Sequence, residues 1–332
     1  MLLVSLVCVT FLLACAGKAV ACCWGISLEN PFLSIWLGFL AVTLIGMGAS
    51  LFVPLSSPFA YVPVFMLMVG GMQKTLLDLK IFFYRMFFDK KRSDIILVLC
   101  ILGFSLPAAL GLTRNTVGYD SDLYISQAVR WLVEYGSPFG LGNLHNRLGQ
   151  TSLWFVFVAQ CKIIPFEPFI ASIYPSFYVL LSIPYFVFLV LKSQYKKIRV
   201  YSCLIIYITI QELWGVGVGV YYDQPAILLY LIALAEILSC FLASGCIKNV
   251  TGYLVIVFFV ATGAFLVKPT SVPILFFIIA YLGYHIWCRH LSKKKHFFNF
   301  ALSCCKCCHL DGSQHSPYRM AHFSSASFRP SC

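Results

Sequence analysis

The sequence predicts an all-α protein: a polytopic transmembrane helical bundle of about nine spans, with one short re-entrant or half-inserted helix. Three observations carry this. Of 332 residues, 60% are hydrophobic and 11% charged, whereas soluble domains carry about 25% charged residues. So few charges cannot cover a water-facing surface. The apolar residues come in runs that match the roughly 20 residues needed to cross bilayer hydrocarbon. The basic residues gather in short clusters between those runs, as cytoplasmic loops do.

In chain order the runs are 2–21, 31–53, 58–73, 93–111, 170–191, 200–214, 223–244, 251–267 and 271–288. The first has no basic n-region, and its one lysine, Lys18, falls at the far end. It therefore reads as a span rather than a cleaved signal. Three basic clusters set the orientation: Lys74 to Arg92, Lys192 to Arg199, and Arg289 to Lys295. All three are expected on the cytoplasmic side. The stretch from Leu76 to Phe88 mixes Phe, Leu and Ile with Lys and Arg, and is expected to lie along the inner interface as an amphipathic helix.

Ser152 to Ile164 is a shorter apolar run followed by Pro165 and Pro168. If it does not fully cross, all three basic clusters fall on one side. A genuine short span would put the last two outside. The first alternative is preferred because it satisfies the charge rule throughout. It brings three polar features to the outer face: the loop Leu112–Gln150, the Asp223-Gln224 pair, and Lys268 in a short turn. Polar groups at membrane depth are costly and usually line a cavity or site.

The net charge of +12 does not indicate nucleic acid as a partner, because the bases sit between apolar runs; membrane lipid is the expected partner. The 15 cysteines lie mostly within apolar segments, where they act as small, soft hydrophobes and imply no disulfide framework.

The loop Leu112–Gln150 holds three acids, Asp120, Asp122 and Glu134, and three bases, Arg114, Arg130 and Arg147. Residues 121–135 fit an amphipathic helix with Leu123, Ala128, Trp131, Leu132 and Tyr135 near one face. Ser121 or Asp120 would cap its start, and Arg130 and Glu134, four apart, can pair. Two acids spaced Asp-x-Asp beyond a membrane helix can do chemistry. One could take a proton from an acceptor hydroxyl; together they could hold a divalent metal. The structural alternative is that Asp120 caps the helix and Asp122 is a first-turn acid favoured by the helix dipole. His145 and Arg147 close the loop, and Arg suits bidentate phosphate contact.

The run Tyr-Asp-x-Asp-Leu-Tyr-x-x-Gln-Ala-x-Arg-Trp-x-x-Glu-Tyr-Gly, followed by Gly-Leu-Gly-Asn-Leu-His-x-Arg-Leu-Gly, resembles a group of bacterial membrane proteins. These are similar to the GT-C superfamily of lipid-linked-sugar glycosyltransferases, the class of protein O-mannosyltransferases and aminoarabinose transferases. The resemblance implies a GT-C-like fold, a multi-pass protein of the bacterial inner membrane, a polyprenyl-phosphate sugar donor and transfer on the extracytoplasmic face. Asp120 matches the position of that class's catalytic Asp, with Asp122 next to it. Tyr222-Asp223-Gln224-Pro225-Ala226 matches a later acid that faces the site. Tyr119, Gln127, Arg130, Asn143, His145, Arg147 and Lys268 become candidates for phosphate or sugar contact. Three helices before the motif-bearing module depart from the pattern.

Three segments follow: 1–92, N-terminal helices and a basic interfacial segment; 93–289, the motif-bearing membrane module; and 290–332, a basic then Cys/Ser/His-rich tail. The tail's Ser303-Cys304-Cys305-Lys306-Cys307-Cys308-His309 lacks zinc-ligand spacing, and its composition is that of a disordered or non-native segment. Members of the class are expected to continue with more helices, so a truncated form is anticipated, in which activity could be lost. Two rival classes are a transporter or flippase, which internal repeats would mark, and a non-catalytic assembly subunit.

Overall fold

The computed structural model describes residues 2–280 except 27, 29, 88–93, 101, 104–123, 138–139, 145–148, 150, 163–181, 216–222, 243–249, 274–275 and 277–278. The described chain up to residue 279 belongs to one compact unit, Met1–Ile279; a second unit, Ala280–Cys332, lies outside the description after its first residue. Every regular element among the described residues is helical. These are α1 (Leu2–Cys23), α2 (Leu33–Ser50), α3 (Val62–Phe87), α4 (Ser126–Glu134) and α5 (Leu153–Cys161), then α6 (Ser182–Lys192), α7 (Lys196–Gly215), α8 (Asp223–Leu242) and α9 (Val250–Val267). A further helical stretch covers 94–100. Among the described residues, two helices are long and apolar enough to cross a membrane: α2, and the continuous segment Pro58–Tyr84 that contains most of α3.

Small residues bring α1, α2 and α3 together. A Cβ on Gly17 would overlap the Ser34 carbonyl, and one on Gly38 would overlap the Leu13 carbonyl. The two backbones therefore touch, as packed membrane helices do at small residues. Gly71 of α3 meets the Cys15 carbonyl of α1 in the same way. The Lys18 ammonium and Asp78 carboxylate, 2.5 Å apart, tie the same pair of helices. α1 stops at Gly25, whose φ of 64° lets the Ile26 N–H reach back to the Ala21 carbonyl at 2.9 Å; this is the left-handed helix stop that glycine favours.

The expected break between a span at 58–73 and a separate interfacial helix at 76–88 is not found: α3 runs through both. From Met72 to Phe87 the sequence has no Pro or Gly and is rich in Leu, Met, Lys and Arg, which favour helix over a break.

The short apolar helix α5 has nine residues, all buried. At 1.5 Å per residue it is about 13 Å long, against roughly 30 Å of hydrocarbon. Trp154, tilted, and Phe157, edge-on, pack against Phe39 at 6.0 and 5.1 Å, and the Gln160 amide donates to the Val42 carbonyl at 3.2 Å. The missing side chain of Gly46 makes room for the Gln160 carboxamide. Partners on α2 thus advance as α5 advances, so the two helices are parallel. α9 runs the same way: Phe259 meets Trp24, edge-on at 5.1 Å, and Gly263 admits Leu40.

α4 docks on the C-terminal end of α2. Leu55 and Ser56 N–H groups donate to the Leu132 and Val133 carbonyls at 2.9 and 3.1 Å. Ser137 N–H donates to the Ser50 carbonyl at 2.7 Å, and the two serine hydroxyls lie 2.7 Å apart. Gly136 permits this closure with φ 81°; a Cβ there would overlap the Ser50 carbonyl. The buried face of α4 is Ile125, Ala128, Val129 and Leu132, rotated from the expected one. These follow the i, i+3, i+4, i+7 stripe more closely, and Tyr135 is left 67% exposed. The expected caps Asp120 and Ser121, and Leu123, lie outside the described residues.

Candidate functional site

Three helix ends meet at one polar junction. α8 opens with Asp223 in its first turn and Pro225 two residues later. An acid there complements the positive end of the helix, and an early Pro removes no helical hydrogen bond. α9 closes at Val267, and Lys268 follows with φ −148° and ψ 121°. That extended shape is what the residue before a proline prefers, and Pro269 then starts a tight turn, Pro269–Ser271. The stop turns Lys268 toward the start of α8, where its ammonium ion-pairs with the Asp223 carboxylate. The side chains are 27% and 46% exposed. An ion pair this open contributes little to stability and stays accessible to a ligand.

Ser152 joins the same junction from the end of the long loop. Its hydroxyl accepts from the Trp154 N–H at 3.2 Å, capping α5, and donates to the Val267 carbonyl at 2.7 Å. One buried side chain therefore satisfies the start of α5 and the end of α9. The positive ends of α5 and α8 and the Lys268 ammonium gather at this place, an arrangement that suits an anion.

Of the sequence-derived candidates, Asp223 and Lys268 are brought into contact. Gln127 and Arg130 are exposed on α4. Arg130 donates to Glu134 at 2.8 Å, and that carboxylate raises the guanidinium pKa above its ordinary value. Asn143 is exposed on the short helical turn Leu141–Leu144. The places of these three are set by α4 and the turn after it. Tyr119, Asp120, Asp122, His145 and Arg147 lie outside the described residues. Among the described residues no three His, Cys, Asp or Glu side chains gather as a metal would require; the Asp120–Asp122 pair proposed for a divalent metal lies outside them.

The sequence reading missed Ser152 and two buried polar links. The Tyr185 hydroxyl donates to Glu236 at 2.6 Å, joining α6 to α8, and Asn30 donates to the Tyr185 carbonyl at 3.4 Å. Lys192 donates to Asp94 at 2.7 Å, tying the end of α6 to the helical stretch that follows the first basic cluster. A signal for Glu236 was present: it is a lone acid deep inside an apolar helix, where ionisable residues are rare. Ser152 carried no comparable signal, because its second partner is a backbone carbonyl 115 positions away.

No curated protein and no solved structure matches the chain. A family described as a domain of unknown function (DUF8201) matches residues 1–308, most of its length. The chain belongs to that family.

Proposed function

We propose that the chain is a multi-pass protein of the bacterial inner membrane, a GT-C-like bundle of about nine spans with α5 re-entrant, that transfers a sugar from a polyprenyl-phosphate donor to a hydroxyl acceptor on the extracytoplasmic face. The observation that carries this reading is the Asp223–Lys268 ion pair at the convergence of α5, α8 and α9. A cation joined to a carboxylate, next to two helix N-termini and at the end of the Asp120-bearing loop, is a place for a phosphate leaving group. The parallel course of α2, α5 and α9 also supports it, since the helix following the loop then turns back without crossing.

In this reading the donor phosphate takes the Lys268 ammonium and releases it from Asp223. The acceptor oxygen attacks the anomeric carbon, the bond from that carbon to the phosphate oxygen breaks, and Asp120 takes the acceptor's proton. Asp122 and Asp223 hold the acceptor and the developing charge, and Arg130, His145 and Arg147 contact the donor. Losing a catalytic base typically costs about 10²–10⁴-fold in rate.

The test is transfer of radiolabelled sugar from a membrane pool of polyprenyl-phosphate sugars by the full chain reconstituted in vesicles. Asp120→Asn should reduce transfer by about that factor. Full activity of Asp120→Asn would remove its role. Movement of labelled lipid across the vesicle without transfer would replace the reading with a flippase.

A further inference from the structure

The C-terminal half of α3 is exposed, apolar and basic. Gly71 meets α1 between Cys15 and Ala19, at the level of Gly17. Beyond that level α1 has few residues left before Cys23, whereas α3 continues to Phe87. α3 therefore outruns α1 by about ten residues, roughly 15 Å at helical rise. In this half Leu76, Leu77, Leu79, Ile81, Phe83 and Tyr84 are exposed, as are Lys74 and Lys80. The acid among them, Asp78, is taken by Lys18 of α1. Arg85 follows on the helix, and Lys90, Lys91 and Arg92 follow in the sequence.

We infer that this overhang of α3 is a docking surface for anionic phospholipid headgroups, with its apolar residues in the acyl boundary and Lys80, ahead of the basic sequence that begins at Arg85, at the phosphates. The inference rests on the bilayer reading above and is independent of sugar transfer. The charge selects the occupant. With Asp78 neutralised the surface is positive, and a second copy related by a two-fold axis would press the same positive surface against itself, a like-charge contact that costs energy. An anionic leaflet offers the opposite sign, and each lysine or arginine near such a surface contributes about 1 kcal/mol, or roughly fivefold in binding. At 26 residues, about 39 Å, α3 also exceeds the roughly 30 Å of hydrocarbon. Its last turns then reach the headgroups, where Tyr84 is in the layer that aromatic residues favour.

Native mass spectrometry of the full chain in detergent, titrated with phosphatidylglycerol or phosphatidylcholine, tests this. The chain should retain phosphatidylglycerol several-fold over phosphatidylcholine. Lys80→Gln with Arg85→Gln should abolish most of that preference without changing the melting temperature, and Lys80→Arg should keep it. Equal retention of the two lipids by the unaltered chain, or a preference that survives the double substitution, would overturn the inference. So would a dimer mass that disappears with the double substitution, since the occupant would then be a second copy. Release of the chain from membranes by alkaline extraction would instead overturn the bilayer reading, and this inference with it.

Discussion

The α1–α2–α3 contact and the α5–α8–α9 junction are both places where helices meet, but they are built from opposite materials. At the first, glycines let backbones touch, and dense van der Waals contact fixes the spacing. At the second, the helix ends are joined by a hydroxyl and an ion pair with side chains partly open to solvent. Interiors packed backbone to backbone cannot yield without unfolding, whereas an open ion pair can exchange partners at small cost. The first is scaffold, and the second can change state with a ligand.

The largest expected effect breaks the scaffold. Gly38→Leu forces a side chain into the Leu13 carbonyl and should destabilise by about 3 kcal/mol or more, seen as aggregation or a large loss of melting temperature in detergent. Gly48→Leu, where a Cβ meets nothing within 4 Å, is the matched control and should fold normally. At the junction, under the proposed function, Lys268→Met should lower sugar transfer roughly tenfold to a hundredfold, the value of a charged hydrogen bond of about 1.5–3 kcal/mol. Its melting temperature should barely move, because the pair is exposed. A large loss of stability there would erase the contrast between the two regions. Gly136→Ala sharpens the picture at the α4 clamp. A positive φ costs a Cβ-bearing residue about 1–2 kcal/mol, and the overlap with Ser50 adds to it. Limited proteolysis should cut the 135–151 segment sooner in that variant. Arg130→Ala is the smallest change in stability: its pair with Glu134 is solvent-exposed and contributes little, and high salt should erase even that.

The helical nature and most of the helix positions were legible because long apolar runs separated by charge constrain a chain strongly. α2, α8 and α9 fall within three residues of their expected bounds. α3 was misjudged because a change from apolar to basic composition marks a change of surroundings, not a helix end; an end needs a breaker or a cap. The buried face of α4 differs from the expected stripe because Trp131 and Tyr135 were grouped with Ala128 and Leu132 on apolar character, although amphipathic aromatics sit comfortably at a wet boundary. At the site, the partnership of Asp223 and Lys268 was legible only as a shared side of the bundle. Contact between residues 45 positions apart depends on Pro269 stopping α9 at the right turn. Ser152 was beyond reach for a related reason: its partner is main chain, and sequence does not announce which carbonyl will be near.

The burial of all nine residues of α5 bears on how the protein is made. A segment buried on every side, and too short to cross a bilayer, has no stable place of its own outside the packed helices. It has to wait for α2 and α9 to come together and then fill the gap between them. Since α9, from Val250, is synthesised well after α5, which ends at Cys161, the polar junction is completed late, when most of the chain has already been made.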